Sequence, residues 1–510
     1  MSHALNVKKQ RMIGAVLSYL HIGLNLGINL VVSPFLLHYL GDLEYGLYQL
    51  VASFFAYITI FESSLASSVL RFYCKAIAAN DTDEMENVLA ISQRIYRILA
   101  VILSAAGCIL IFVFRSFYQS SLSDTEMFES TLMLAALIIN LVVSMMNAVY
   151  AAAITGNERF IFVKGVQVFI QVSQPLVYCL VIMRYPYAVV VVLGQLMVNI
   201  VAAVLRRMYA KKKVGVKIIL HDQNSTLFKA ILTFSSSLLL ATIADQIFWK
   251  ADQIIIGKMF SVALVAVYAI GGHLYISYMN LGTSINLIYF PQISKAYQET
   301  EGLKKISSLF VKAGRITFQV LALVLMGFII FGQEFITLWV GSEYMEAYYV
   351  ALFVMVPFTI DLIQSVGLSI LQIMDKYTFR AKMYFFAALL NIISTIVFCK
   401  YMGIRGAALS TGLTMLITSG FVLNWYYAKV GLDIKTFWHN IFSVFVKVVP
   451  YGVVMFIANR HLSSYFSGIA GLLAKILVFS AGYLILIFFF TMNQEEKRIV
   501  TDLVHIRNRQ

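Results

Sequence analysis

From Met12 to Thr491 the chain is a succession of apolar stretches of about 20 residues, separated by short polar breaks. A hydrocarbon layer of about 30 Å takes roughly 20 helical residues to cross. Inside it the backbone finds no water to bond, so each stretch is confined to helix. The breaks are too short to hold an aqueous domain. Composition agrees: 60% of the 510 residues are hydrophobic and 13% charged, against about 25% charged in an ordinary globular domain. The expected fold class is an all-α polytopic membrane protein.

About fourteen transmembrane helices are predicted, near 13–37, 47–70, 95–115, 131–153, 161–183, 187–205, 229–256, 262–290, 313–331, 347–373, 382–400, 404–428, 441–459 and 466–492. The first follows Lys8, Lys9 and Arg11 but is longer than a signal-peptide core and precedes no small-x-small site, so it is read as an uncleaved span. With flanking residues included, 31 of the 39 Lys and Arg residues fall at the N-terminus, in the loops after even-numbered spans and in the tail. Seven fall after odd-numbered spans, and Lys475 lies within a span. Lys and Arg accumulate on the cytoplasmic side, so both termini are expected there. The same distribution accounts for most of the +14 net charge, including the run "RRMYAKKKVGVK" at 206–217. It is explained by topology and anionic lipid, without nucleic acid. The four cysteines form no CxxC or Cys/His spacing that would hold a metal.

Short segments recur at a near-constant interval. "YAKKKVGVKI" at 209–218 returns as "YAKVGLDIKTF" at 427–437, "TGNERFIFVKG" at 155–165 lines up with "IMDKYTFRAKM" at 373–383, and Tyr45 corresponds to Tyr268. The offsets lie between 217 and 223, which predicts two parallel six-helix lobes, at 1–218 and 219–440. Two extra spans at 441–492 and a cytoplasmic tail at 493–510 follow.

Charges within the spans are the candidate functional groups, because an ion at the bilayer centre costs about 2.5–3.5 kcal/mol and normally faces a bundle interior or watery cavity. The deepest are Glu62, Asp245, Lys250, Asp252 and Asp361, with Lys475 less deep. On the seventh span Asp245, Trp249 and Asp252 fall at i, i+4 and i+7, with Gln246, Lys250 and Gln253 alongside. This broad polar flank suits a helix lining a central cavity; internal pairing of Lys250 with an acid is the alternative. The first span carries His21, Asn25 and Asn29 at i, i+4 and i+8, then Pro34. Glu62 sits among small hydroxylated residues that suit a cation or a proton-carrying carboxyl. Asp361 follows Pro357, where a kink would free a carbonyl. No GxSxG, HExxH or Walker A motif occurs, so nothing indicates an enzyme or ATP hydrolysis.

As an ordered set, "SPFLLHYLGDLEYGLYQLVASF" (33–54), "SSLASSVLRFYCKAIAANDTDEMENVLA" (63–90), "AAITGNERF" (152–160), "KADQIIIGKMFSVALVAVYAI" (250–270) and "LWVGSEYMEA" (338–347) resemble the polysaccharide flippase family. These are the O-antigen and capsule repeat-unit exporters of the superfamily that also holds the MATE multidrug exporters and the lipid II flippases. The resemblance implies two lobes around a cavity open alternately to either side of a bacterial or archaeal cell membrane. The implied substrate is a polyprenyl-diphosphate-linked oligosaccharide, moved by a proton or sodium gradient with no cofactor besides the coupling ion; other envelope glycan-assembly proteins are expected partners. Under this reading Lys250, Trp249, Asn25, Asn29 and Arg71 bind substrate, and Asp245, Asp252, Glu62 and Asp361 couple the ion. The deep set is more acidic than a cationic cavity requires unless Arg71, Arg184 and Arg405 restore the balance. Rival readings are a multidrug or organic-cation antiporter of the same architecture, a membrane-embedded polymerase or glycosyltransferase, and a non-transporting scaffold.

Overall fold

The computed structural model describes residues 2–222, 225–299, 301–462, 466–494 and 496–497. Among these residues the chain is helical and no strand occurs. The helices are α1 Ser2–Ala78, α2 Thr82–Tyr118, α3 Asp124–Gly156, α4 Phe160–Ile182, α5 Ala188–Tyr209, α6 Ser225–Met259, α7 Val262–Tyr297 and α8 Gly302–Trp339. They are followed by α9 Glu346–Ile363, α10 Ser365–Ile373, α11 Tyr377–Met402, α12 Ile404–Met415, α13 Leu423–Val430, α14 Ile434–Leu462 and α15 Gly468–Leu486. Twelve helices among the described residues are long and apolar enough to cross a membrane. The chain is a multi-pass membrane protein.

The predicted spans map onto these helices with two differences. The first two spans are two helices, as expected, written together as α1 and separated at Gly41, whose φ of 75° no side-chain-bearing residue adopts cheaply. The tenth span is broken at Gln364 into α9 and α10. Pro357 leaves α9 helical, and the break comes seven residues later, where the Gln364 side chain donates to the Ile360 carbonyl at 2.9 Å. The twelfth span passes through a π-helical segment, Leu416–Val422, between α12 and α13.

The chain divides into two compact units, Met1–Ala269 and Ile270–Gln510. The division falls beyond residue 218 because α6 packs along α1: Ser68 meets Ser235 at 2.7 Å, and Ser53 donates to Gln253. Helix association in lipid depends on close packing and interhelical hydrogen bonds, since lipid tails are as apolar as leucine. Two glycines illustrate the packing. A Cβ on Gly46 would stand 2.0 Å from the Val262 carbonyl oxygen. A Cβ on Gly412 would stand 2.2 Å from the carbonyl oxygen of Phe353, the group whose helical donor Pro357 removes. Outward faces are apolar, as lipid demands: Phe112 is 75% exposed and Phe490 71%.

Local geometry repeats between the units. In the first, Phe162 stacks on Tyr209 with ring centroids 3.7 Å apart; in the second, Phe379 stacks on Tyr426 at 3.9 Å. Both members of the pair are displaced by 217 positions. Glu158 and Asp375, also 217 apart, share a φ of 55°. Asn80 at 53° and Glu301 at 62° each precede a long helix. These four are the non-glycine residues with positive φ among those described, an uncommon conformation.

Gly46→Leu or Gly412→Leu should destabilise the fold by about 3 kcal/mol or more, since backbone must move to admit the side chain. The check is the melting temperature of the detergent-purified protein. Gly23→Leu, where nothing lies within 4 Å of the added Cβ, should leave it unchanged.

Candidate functional site

The polar flank of α6 is divided by packing. Asp252, 3% exposed, accepts a hydrogen bond from the Tyr268 hydroxyl at 2.5 Å, and Gln253, 6% exposed, accepts from Ser53. Both are therefore turned into the first unit. Asp245 is exposed; Trp249 and Lys250 are half-buried. No acid among the described residues pairs with Lys250. The predicted stripe thus exists as helical spacing, but its members face different surroundings.

On α1, His21 and Asn25 are tied to Gln171 of α4. With the Gln171 amide oriented to its neighbours, its nitrogen donates to His21 Nε2 at 3.0 Å and its oxygen accepts from Asn25 Nδ2 at 3.0 Å. The Asn29 side chain lies outside the described residues. Nearby an apolar groove of about 850 Å³ runs between α1 and α4, lined by Gly23, Gly27, Val31, Pro175 and Leu176.

Arg71, near the end of the long α1 helix, is exposed and lies over the Phe234 ring at 4.4 Å. Together with Lys229, Thr226 and Thr233 of α6 it lines a groove of about 600 Å³. Two cations and two hydroxyls in one groove match an oxyanion ligand. Sequence reading found Arg71 but not its partners, because Lys229 falls at the predicted edge of a span and only the α1/α6 packing brings the two together.

The remaining predicted carboxylates are half-buried, each within a single unit. Glu62 of α1 accepts from Ser144 of α3 and lies within electrostatic reach of Arg206 of α5. Asp361 of α9 accepts from Ser419 at 2.6 Å and lies within reach of Arg380 of α11. Ser419 sits in the π-helical segment, where the Asn424 amide donates to the Ser419 and Gly420 carbonyls at 3.0 and 2.8 Å; Trp438 Nε1 holds Asn424 at 2.9 Å. π-Helical turns inside helices are found disproportionately at functional sites. Ser144, Arg206, Arg380 and Ser419 escaped the sequence reading, since serine is common in membrane helices and both arginines lie near predicted span ends.

Lys475 and Arg405 are each in an ion pair. Lys475 Nζ meets the two Glu334 carboxylate oxygens at 2.7 and 2.5 Å. Arg405 binds Glu346 in a two-pronged contact, both bonds 2.6 Å, and stacks over Tyr349. Arg184 lies over Tyr185 at 5.7 Å. Arg405 is therefore committed to its own unit. Among the described residues no group of three or more His, Cys, Asp or Glu side chains is arranged to hold a metal ion.

The fold is shared with solved membrane transporters. The lipid II flippase MurJ, in an inward closed conformation, superposes with a TM-score of 0.74 over 94% of this chain and 98% of its own, at 14% identity. An inward-facing multidrug-resistance MATE transporter of the MOP superfamily gives 0.63 over 80% of this chain and 95% of its own, at 13% identity. A Vibrio cholerae MATE transporter in a bent form gives 0.56, covering 86% of this chain and all of its own, at 13% identity. No curated protein sequence matches the chain. The family model described as "Polysaccharide biosynthesis protein" matches residues 39–349, more than half of the sequence. The chain belongs to that polysaccharide biosynthesis family and carries the helical fold of the MurJ and MATE transporters.

Proposed function

We propose that the protein is a flippase that carries a polyprenyl-diphosphate-linked oligosaccharide from the cytoplasmic to the outer leaflet of a bacterial or archaeal cell membrane, by alternating access and at the expense of a proton or sodium gradient. The observation that carries the substrate class is the polysaccharide family match over residues 39–349. The length of the fold supports the same reading, since the likeness to the lipid II flippase takes in 94% of the chain against 80% for the inward-facing MATE transporter. A lipid-linked sugar substrate combines a glycan, an anionic diphosphate and a long hydrocarbon. The Arg71–Lys229 groove suits the diphosphate. Lys250, Trp249 and Asn25 offer the charge, ring face and amide that sugars and diphosphates take. Asn29 belongs to the same proposal by its place on the first span. For the coupling ion we assign Glu62 and Asp361, with Asp245 and Asp252 on α6. Both termini are assigned to the cytoplasm, a reading the Lys and Arg distribution supports.

Transfer of a fluorescent polyprenyl-diphosphate oligosaccharide across proteoliposomes tests this reading. Arg71→Ala combined with Lys229→Ala should reduce the rate more than tenfold, the size expected when about 1.4 kcal/mol or more of anion binding is lost. An imposed proton or sodium gradient should accelerate wild-type transfer. Uptake of a cationic dye with no oligosaccharide transfer would assign the chain to multidrug antiport instead. The orientation is checked separately with a C-terminal cysteine tag, which should stay unlabelled by an impermeant maleimide in intact cells and react after permeabilisation.

A further inference from the structure

Two cavities meet on the first unit where α1 ends and α6 begins. One is the Arg71–Lys229 groove of about 600 Å³. The other, of about 330 Å³, lies between the last turns of α1, the first turn of α2 and the start of α6. Phe72, Thr226 and Ala230 line both, so the two are compartments of one cleft. At its inner end the helices touch: Ser68 meets Ser235 at 2.7 Å, and Arg71 lies over the Phe234 ring at 4.4 Å.

The compartments differ in what they offer. Two cations and the hydroxyls of Thr226 and Thr233 line the first. Lys75 and the carboxyl groups of Asp81 and Glu84 line the second. Asp81 is partly committed, since its Oδ1 accepts the Glu84 N–H at 2.9 Å and caps α2. An ionised carboxylate only accepts hydrogen bonds and an ammonium only donates them. A phosphate, itself an anionic acceptor, is repelled by two carboxylates. A sugar hydroxyl both donates and accepts, so it can use all three groups, and the Phe72 ring gives a pyranose an apolar surface to rest on. The volume lies at the lower end of the about 300–1,000 Å³ of small-molecule sites, which suits one sugar better than a whole oligosaccharide.

The order of the compartments carries further information. Thr233 and Phe234 lie within a predicted span, Arg71 and Lys229 at span edges, and Asp81 and Glu84 beyond the end of α1. From the membrane outward the cleft therefore runs apolar, cationic, then mixed in charge. A lipid-linked sugar has the same covalent order: hydrocarbon, diphosphate, sugar.

We propose that the compartment lined by Lys75, Asp81 and Glu84 binds the sugar joined directly to the diphosphate, and that it selects an uncharged sugar over an acidic one. Lys75 and Glu84 hold the hydroxyls, and the two carboxylates turn away a sugar that carries its own. This deepens the flippase reading given above and rests on its placing of the diphosphate between Arg71 and Lys229.

The experiment measures binding to the detergent-purified full chain with three probes built on farnesyl diphosphate: the bare diphosphate, the same carrying an N-acetylhexosamine, and the same carrying a hexuronic acid. The N-acetylhexosamine should tighten binding roughly fivefold over the bare diphosphate, the worth of about one net hydrogen bond, and the hexuronic acid should not. Glu84→Ala and Lys75→Ala should each remove most of that gain, and Glu84→Gln should raise the affinity for the hexuronic acid probe. A neutral sugar that adds nothing, an acidic sugar that binds as tightly, or a full gain in a folded alanine variant overturns the proposal. Should one alanine variant not fold, the other decides. If bare-diphosphate binding survives Arg71→Ala combined with Lys229→Ala while the sugar gain still depends on Glu84, the sugar compartment stands and the diphosphate reading fails. If no probe binds the wild type, both fall.

Discussion

The backbone hydrogen bond in lipid is the constraint from which the architecture follows. A peptide group in hydrocarbon has no solvent to fall back on, so a chain that spends most of its length there becomes helix wherever it is apolar. The same requirement explains how departures from helix are handled. At Gln364 the interrupted span is repaired by its own side chain, which bonds the Ile360 carbonyl. At the π-helical segment Asn424 takes up the Ser419 and Gly420 carbonyls. At Phe353, left without a donor by Pro357, the surface of Gly412 closes over the oxygen. Irregular backbone is permitted at these places because each loose group has been assigned a neighbour.

Ionic groups follow the same rule with larger energies. Lys475 with Glu334 and Arg405 with Glu346 are closed pairs, each partner answering the other. Glu62 and Asp361 differ in that a neutral serine hydroxyl makes the contact. A closed pair resists change, since breaking it strands a charge. A carboxylate held by a neutral hydroxyl strands no opposite charge when that contact is broken.

Much of the fold was legible in the sequence, for a physical reason: a stretch of apolar residues long enough to span lipid admits one backbone conformation. Every predicted span falls on a helix. The interval of 217 or 218 read from loop residues reappears in the stacked Phe162/Tyr209 and Phe379/Tyr426 pairs. The joins were harder to read. The break at Gln364 depends on backbone angles that composition does not encode. The site was legible as a set of charges and not as a set of contacts. Asp252 and Lys250 are two residues apart, yet one is buried against Tyr268 and the other is not, because α1 and α7 cover one face of α6. Helical spacing fixes which residues share a face of a helix, but what covers that face is decided by segments far away in the sequence. Serines 144 and 419 gave no signal of their own; they matter through the carboxylates that packing brings to them.

The two aromatic stacks bear on motion. Phe162 and Tyr209 join α4 to the end of α5, and Phe379 and Tyr426 join α11 to α13, with rings within 15° of parallel in both cases. A face-to-face contact at that spacing tolerates little sliding, so within each unit these helix ends travel as one piece. The glycine at 41 is the contrast: it joins the two helices of α1 with no atom within 4 Å of where its Cβ would be, so no packed neighbour braces that corner.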